Sequence, residues 1–255
     1  MSRFAGVVLC ALIVGSGSML AQQTDAFSRT NTWTVFAEYS NTSSHILMGT
    51  TRQRELADLG FGYTRRVVRF WGSDLSYQTE VRPVLFESDP LTISTGSETF
   101  EYPPPDGPFT LNYTEANVAV GRCQPGSGSG SIAATPGLPA ETYSYTTRCG
   151  RQWTFAQAFS PVGFRYSMRT MHPVQPFVVG TLGYMYSSRP IPVSQAEAFN
   201  FVFDFGAGVE VFRSEKGKRS VSVECRYHHF SNKDTAAANP GTDNVMLKAS
   251  YSFGR

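Results

Sequence analysis

Apolar and polar residues alternate with a period of two through most of the chain, the pattern of strands with one apolar and one polar face. It is clearest from Phe199 to Val211. There Phe199, Phe201, Phe203, Phe205, Ala207, Val209 and Val211 oppose Asn200, Asp204, Gly206, Gly208 and Glu210. Near the start, Trp33, Val35, Ala37 and Tyr39 alternate with Thr34, Phe36, Glu38 and Ser40, and Ala57, Leu59, Phe61 and Tyr63 with Asp58, Gly60, Gly62 and Thr64. Leu75 to Leu85 places Gln78, Glu80 and Arg82 on its polar face, and Val162, Phe164, Tyr166 and Met168 oppose Gly163, Arg165 and Ser167. Towards the end, Val221, Val223, Cys225 and Tyr227 oppose Ser222, Glu224 and Arg226. Val245, Leu247, Ala249, Tyr251 and Phe253 oppose Lys248, Ser250 and Ser252. Phe177 to Tyr186 is a further strand whose faces do not separate. The pattern therefore predicts eight strands.

In a soluble sandwich the apolar faces would pack inward; in a membrane barrel they meet lipid and the polar faces fill a narrow lumen. Runs of about ten residues suit a tilted membrane-spanning strand, and large aromatics crowd the apolar faces as in an interfacial girdle. The links also alternate in length. Those near Val68 to Ser73, Arg169 to Val174 and Ser214 to Lys218 are short, whereas Asn41 to Arg54, Glu87 to Gln157, Ser188 to Ala198 and Asn232 to Thr242 are longer. Short periplasmic turns opposite longer outer loops produce that asymmetry. The expected fold is all-β: an eight-stranded antiparallel transmembrane barrel with one long extracellular insertion. Glu38, Asp58, Glu80, Arg82, Arg165, Asp204, Glu210, Glu224, Arg226 and Lys248 are expected to pair across its lumen.

Composition narrows the picture without changing it. Only 16% of the 255 residues are charged, 13% are aromatic and the net charge is +2, which excludes a disordered chain and gives no field to gather nucleic acid. Met1-Ser2-Arg3, the apolar stretch Phe4 to Val14 and Ala21 before Gln22-Gln23 read as a secretory signal over 1–21, leaving 22–255 as the barrel. Cys10 would leave with the leader. In an oxidising compartment Cys123 and Cys149, which flank a Gly/Ser-rich stretch, are expected to pair, with Cys225 left over. The stretch from about 87 to 157, with Pro103-Pro104-Pro105 and Gly126 to Ser131, reads as a flexible surface loop. Short β-like stretches within it, such as Tyr113 to Val120, suit a hairpin above the membrane or an extension of the strands beyond it.

Candidate chemistry is confined to one place. His45 and His172 read as solvated, while His228 and His229 point to opposite faces of one strand and cannot share a metal. No zinc-type ligand set is visible, so no metal or cofactor is expected. His229 and Ser231, two apart, share a face with Cα atoms about 6–7 Å apart. The next strand returns antiparallel with Asp243 at its start. A hydroxyl, an imidazole and a carboxylate thus meet at the outer mouth of one hairpin, the trio needed for nucleophilic acyl transfer. All three continue apolar faces and so point towards lipid, a costly place for charge without a role.

His229-Phe230-Ser231-Asn232 on the penultimate strand, followed by Asn239-Pro240-Gly241-Thr242-Asp243, resembles the signature of the outer-membrane lipid A 3-O-deacylases of PagL type. The resemblance covers about the last 30 residues. It implies a serine esterase that removes the ester-linked 3-position hydroxyacyl chain of lipid A: Ser231 the nucleophile, His229 the general base, Asp243 the residue orienting it. Asn239 and the Gly241 N–H would line the oxyanion hole, beside Asn232. Asp243 stands where the family typically has Glu, and the long insertion is foreign to its compact members. The partner implied is lipid A or lipopolysaccharide of the outer leaflet in a Gram-negative-type cell, and a homodimer stays open. A non-catalytic barrel serving as anchor or adhesin, and a soluble periplasmic β protein, are the alternatives.

Overall fold

The computed structural model describes residues 27–213 and 217–255; the leader read at 1–21 lies outside them, as does part of the link 214–218. The described residues form ten strands: β1 (Asn31–Ser40), β2 (Glu55–Phe70), β3 (Ser73–Glu101), β4 (Pro108–Val118), β5 (Gly126–Ile132), β6 (Ala140–Ser167), β7 (Val174–Ile191), β8 (Glu197–Phe212), β9 (Arg219–Ser231) and β10 (Thr242–Gly254). Eight of them, all but β4 and β5, close a ring. β1 pairs antiparallel with β10 from Thr32 opposite Gly254 to Tyr39 opposite Leu247, and β3 pairs with β6. The tight turn Trp71-Gly72, the short link near 168–173, the end of β8 at Phe212 and the start of β9 at Arg219 share one rim. The long links gather at the other, as the alternation of link lengths predicts.

Outside the ring, the apolar residues of each strand are exposed. Val223, Leu247 and Leu182 are between 54 and 60% exposed, and Phe61, Phe164 and Phe205 stand in the same belt. Large apolar side chains standing free all round a closed β ring are what a bilayer covers, and closure leaves the ring no open sheet edge facing lipid.

Inside, the expected charge pairing is present. The buried Arg82 guanidinium lies 3.4 Å from Glu38, 3.6 Å from Asp58, 3.1 Å from Glu80 and 3.2 Å from Asp204. Arg226 binds Glu80 at 2.7 Å and also Glu224, and Lys248 reaches Glu80 at 2.6 Å and Glu38 at 3.1 Å. Towards the short-turn rim Arg165 bonds Glu210 at 2.7 Å. Removing one partner from such a cluster leaves buried charge uncompensated at a cost of about 3–5 kcal/mol.

Two expectations about the interior need correction. The lumen is not polar throughout. Above the charges, towards the long-loop rim, Leu56, Leu85, Met185, Ile191, Phe230 and Met246 close it with an apolar plug. Leu85 is expected to face outward with Leu75, yet it is buried, because the register against β6 shifts between Arg82 and Leu85. That bulge falls at Pro83, which has no N–H to give a ladder, and it flips the parity of every residue beyond. Apolar residues on its inner side also explain the unassignable strand. β7 turns Phe177, Val179 and Met185 inward and Val178, Leu182 and Tyr184 outward, so both its faces are apolar.

The segment 87–157 is not a flexible loop. β3 and β6 continue past the rim as paired strands as far as Glu101 and Ala140. β4 adds to β3 and β5 to β6, making a sheet of order β4-β3-β6-β5. The tract Gly126 to Ser131 is strand β5, paired from Gly126 opposite Thr147 to Ile132 opposite Glu141. Its glycines are there because Tyr143 and Tyr145 lie across them: a Cβ on Gly128 would come within 2.8 Å of the Tyr145 ring. Cys123 and Cys149 form the expected disulfide, tying the β4–β5 link to β6. A cross-link spanning 26 residues restrains the unfolded segment by about 3–4 kcal/mol. Replacing both cysteines by serine is expected to leave the ring folded, seen as unchanged unheated gel mobility, while opening residues 119–139 to protease. Loss of the folded band would show that the ring depends on the bridge.

Candidate active site

β9 and β10 bring the candidate residues together at the long-loop rim. Their register sets His229 opposite Asp243, and the His229 Nδ1 bonds Asp243 Oδ1 at 2.7 Å. The His229 side chain keeps 10% exposure, whereas Asp243 is fully buried. Parity places His229 with Cys225, Tyr227 and Ser231 on the outer face of β9. His228 points into the lumen, where its Nδ1 meets Asp204 at 2.5 Å.

A carboxylate facing lipid without cover would be expensive. Asp243 is not left in that state. The link Asn41 to Arg54 folds over it, and Oδ2 accepts the backbone N–H groups of Ile46 at 3.1 Å, Leu47 at 2.8 Å and Met48 at 3.0 Å. Oδ1 accepts the Tyr227 hydroxyl at 2.8 Å besides the imidazole. Five donors thus converge on two oxygens, which satisfies a charge withdrawn from water. The Tyr227 ring stacks along His229 with an interplanar angle of 8°. Gly49 backs the arrangement: a Cβ there would stand 2.6 Å from the Asp243 backbone nitrogen and 2.8 Å from its carboxylate.

Ser231 is the last residue of β9, half-buried, and among the described residues its hydroxyl makes no hydrogen bond. The link that follows is fastened internally. Asn232 donates its backbone N–H to Asn239 Oδ1 at 3.1 Å and its side-chain N–H to the Ala238 carbonyl at 2.8 Å; Asn239 donates to Asp234 at 3.0 Å. Through these bonds Asn232 holds Asn239 next to Ser231. Gly241 takes a positive φ of 58° against the His229 ring, where a Cβ would lie 3.1 Å from Cε1.

Of the six residues singled out by sequence, His229 and Asp243 are bonded to each other, Ser231 shares their face, and Asn232, Asn239 and Gly241 form the adjoining loop. Sequence reasoning missed Tyr227, Gly49 and the three amides of 46–48. Tyr227 was open to the same parity argument as His229; the amides were not, because only folding brings that link to β10. His172 is exposed and lies apart from the site, while the exposed His45 bonds the Gly49 carbonyl at 2.7 Å within the link that covers Asp243; among the described residues no group of three or more His, Cys, Asp or Glu side chains is placed to hold a metal ion.

A family model described as Lipid A 3-O-deacylase (PagL) matches residues 131–252, which include β6 to β9 and nearly all of β10. A comparison with curated protein sequences finds no match. Among solved structures the chain is similar to the outer membrane enzyme PagL, at 13% identity and a TM-score of 0.48, over 85% of this chain and 97% of that one. It is also similar to Neisserial surface protein A, at 10% identity and a TM-score of 0.39 over 89% and 97% of the two chains. The outer membrane protein OprG from Pseudomonas aeruginosa gives 10% identity and a TM-score of 0.41 over 91% and 99%. With its closed ring, its apolar belt and the family match, the chain is an outer-membrane β-barrel.

Proposed function

We propose, for a chain whose residues 131–252 match the lipid A 3-O-deacylase (PagL) family, that the barrel hydrolyses the ester of the 3-position hydroxyacyl chain of lipid A, with Ser231, His229 and Asp243 as its working residues. The observation that carries this reading is the 2.7 Å bond between His229 and a buried Asp243 on the lipid-facing side of the barrel. A proton on Nδ1, donated to Asp243, leaves the Nε2 lone pair free to act as a base. Ser231 Oγ attacks the ester carbonyl carbon and gives its proton to Nε2. The oxyanion so formed takes hydrogen bonds from the second side-chain N–H of Asn239 and the Gly241 N–H. Collapse expels the sugar alkoxide, which receives the proton from Nε2. Water then attacks the acyl-serine and gives a proton to His229 Nε2, and the second collapse breaks the bond to Ser231 Oγ, which takes that proton back as the hydroxy acid leaves. The scheme uses no metal and no cofactor.

An outward-facing site suits a substrate whose ester lies at the boundary of headgroup and acyl chain. The exposed side chains of Ile46, Leu47 and Met48 stand beside Asp243, where the acyl chains would run. A serine-directed fluorophosphonate probe tests the nucleophile on purified barrel. The expected adduct maps to Ser231, and His229→Ala slows its formation about 100-fold or more, the scale of losing the base from a triad. An adduct on another serine, with Ser231 unmodified in active protein, would contradict the assignment.

A further inference from the structure

Among the described residues the sheet above the rim has no packed layer on either side. Its strands β3 and β6 carry it about 40 Å beyond Asp89, at roughly 3.3 Å per residue, and both faces are open along its length. A sheet ordinarily buries one face in a core. This one does not, and its two faces differ. The side continuing from the lumen is hydroxyl-rich, with Thr95, Ser97 and Thr99 set among Thr, Ser and Asn partners. The side continuing from the lipid-facing surface is aromatic.

On that aromatic side the rings lie across glycines. Tyr145 is paired with Gly128, Tyr143 with Gly130 and Tyr113 with Gly96, and a Cβ on any of these glycines would come within 2.6–2.8 Å of the tyrosine opposite. A ring laid on the backbone turns its other face outward, and Tyr145 is 41% exposed. Between and beside the rings stand Glu98, opposite Tyr143, and Glu141, opposite Phe100. No Lys or Arg stands on this face of β3, β4, β5 and β6 beyond Thr92.

From this we propose that the aromatic face of the sheet is a binding surface for uncharged hexose chains, the glycan part of lipopolysaccharide standing around the barrel. Flat rings offer π faces to the C–H face of a pyranose, and tyrosine hydroxyls and carboxylates hydrogen-bond its hydroxyls. Carboxylates without a neighbouring cation repel phosphate, so the surface selects neutral sugar over a phosphorylated core. The sheet rises from the rim that holds the candidate active site, in the layer that the sugars of an outer-leaflet glycolipid occupy. The source of the glycan rests on the function proposed above; the sugar chemistry of the face does not.

The test separates the two. Full-length protein in detergent is titrated with delipidated neutral polysaccharide and, separately, with phosphorylated core oligosaccharide. Wild type and Ser231→Ala are both expected to bind the neutral chain and not the phosphorylated one. The double variant Tyr143→Ala/Tyr145→Ala is expected to bind about tenfold more weakly, as for two lost ring contacts, with unheated gel mobility unchanged. Deacylation of lipopolysaccharide bearing the neutral chain should fall in the double variant through KM, while sugar-free lipid A is turned over as by wild type. Binding that survives the double substitution, no binding of neutral polysaccharide, or a self-association that the double variant abolishes would each overturn the proposal. If binding is found but no variant or wild type deacylates, the glycan surface stands and the esterase reading fails.

Discussion

Replacing His229 by alanine is expected to lower lipid A turnover by at least about a thousandfold, because members of a catalytic unit lose nearly everything together. Its neighbour gives the control. His228→Gln should retain most activity in folded protein, since His228 is buried against Asp204 in the lumen, remote from any membrane-borne ester. The cost of that change falls on stability, at about 1–3 kcal/mol for disturbing a buried hydrogen bond to a charged group. Turnover per folded molecule and thermal mobility shift, measured on both variants, separate the two roles. Reversed phenotypes would mean that β9 runs in the other register and that the site faces inward.

Gly49→Val is expected to cut kcat about 100-fold without touching any of the three proposed working side chains, the scale on which small misplacements act. The new Cβ would meet the Asp243 backbone nitrogen at 2.6 Å. That nitrogen lies on β10, which is held in register against β9 at Asp243 opposite His229, so the link carrying Ile46 to Met48 is the side that lifts. Three N–H donors then leave Oδ2, and the carboxylate that orients His229 turns towards the vacancy. The barrel should stay folded, because the link meets β10 through one isolated bridge and a few backbone bonds, outside the ladders that close the ring. Gly49→Ala, with less to accommodate, should fall between wild type and Gly49→Val. Wild-type turnover by folded Gly49→Val would show that the amides do not position the acid.

The period-two pattern made the ring, its polarity and the pairing across the lumen legible before any coordinates, since alternation along a strand assigns a side to each residue. It failed where a single bulge resets the alternation. The shift at Pro83 turned Leu85, Glu87 and Asp89 inward and hid an apolar plug within a lumen that reads as polar. The Gly/Ser tract read as a flexible loop because β-propensity undervalues glycine, whereas Gly128 and Gly130 exist there to admit the rings of Tyr145 and Tyr143. At the site, His229, Ser231 and Asp243 were legible because one hairpin carries all three. The cover over Asp243 was not, because its donors are backbone amides almost 200 residues away in sequence.

Mass spectrometry of lipid A from cells expressing wild type or Ser231→Ala shows whether the barrel deacylates lipid A through Ser231. Loss of one 3-hydroxyacyl chain is expected with the wild type and intact lipid A with Ser231→Ala, both proteins being present as folded barrels in the outer membrane. Identical lipid A in the two strains, whether both intact or both deacylated, would contradict it.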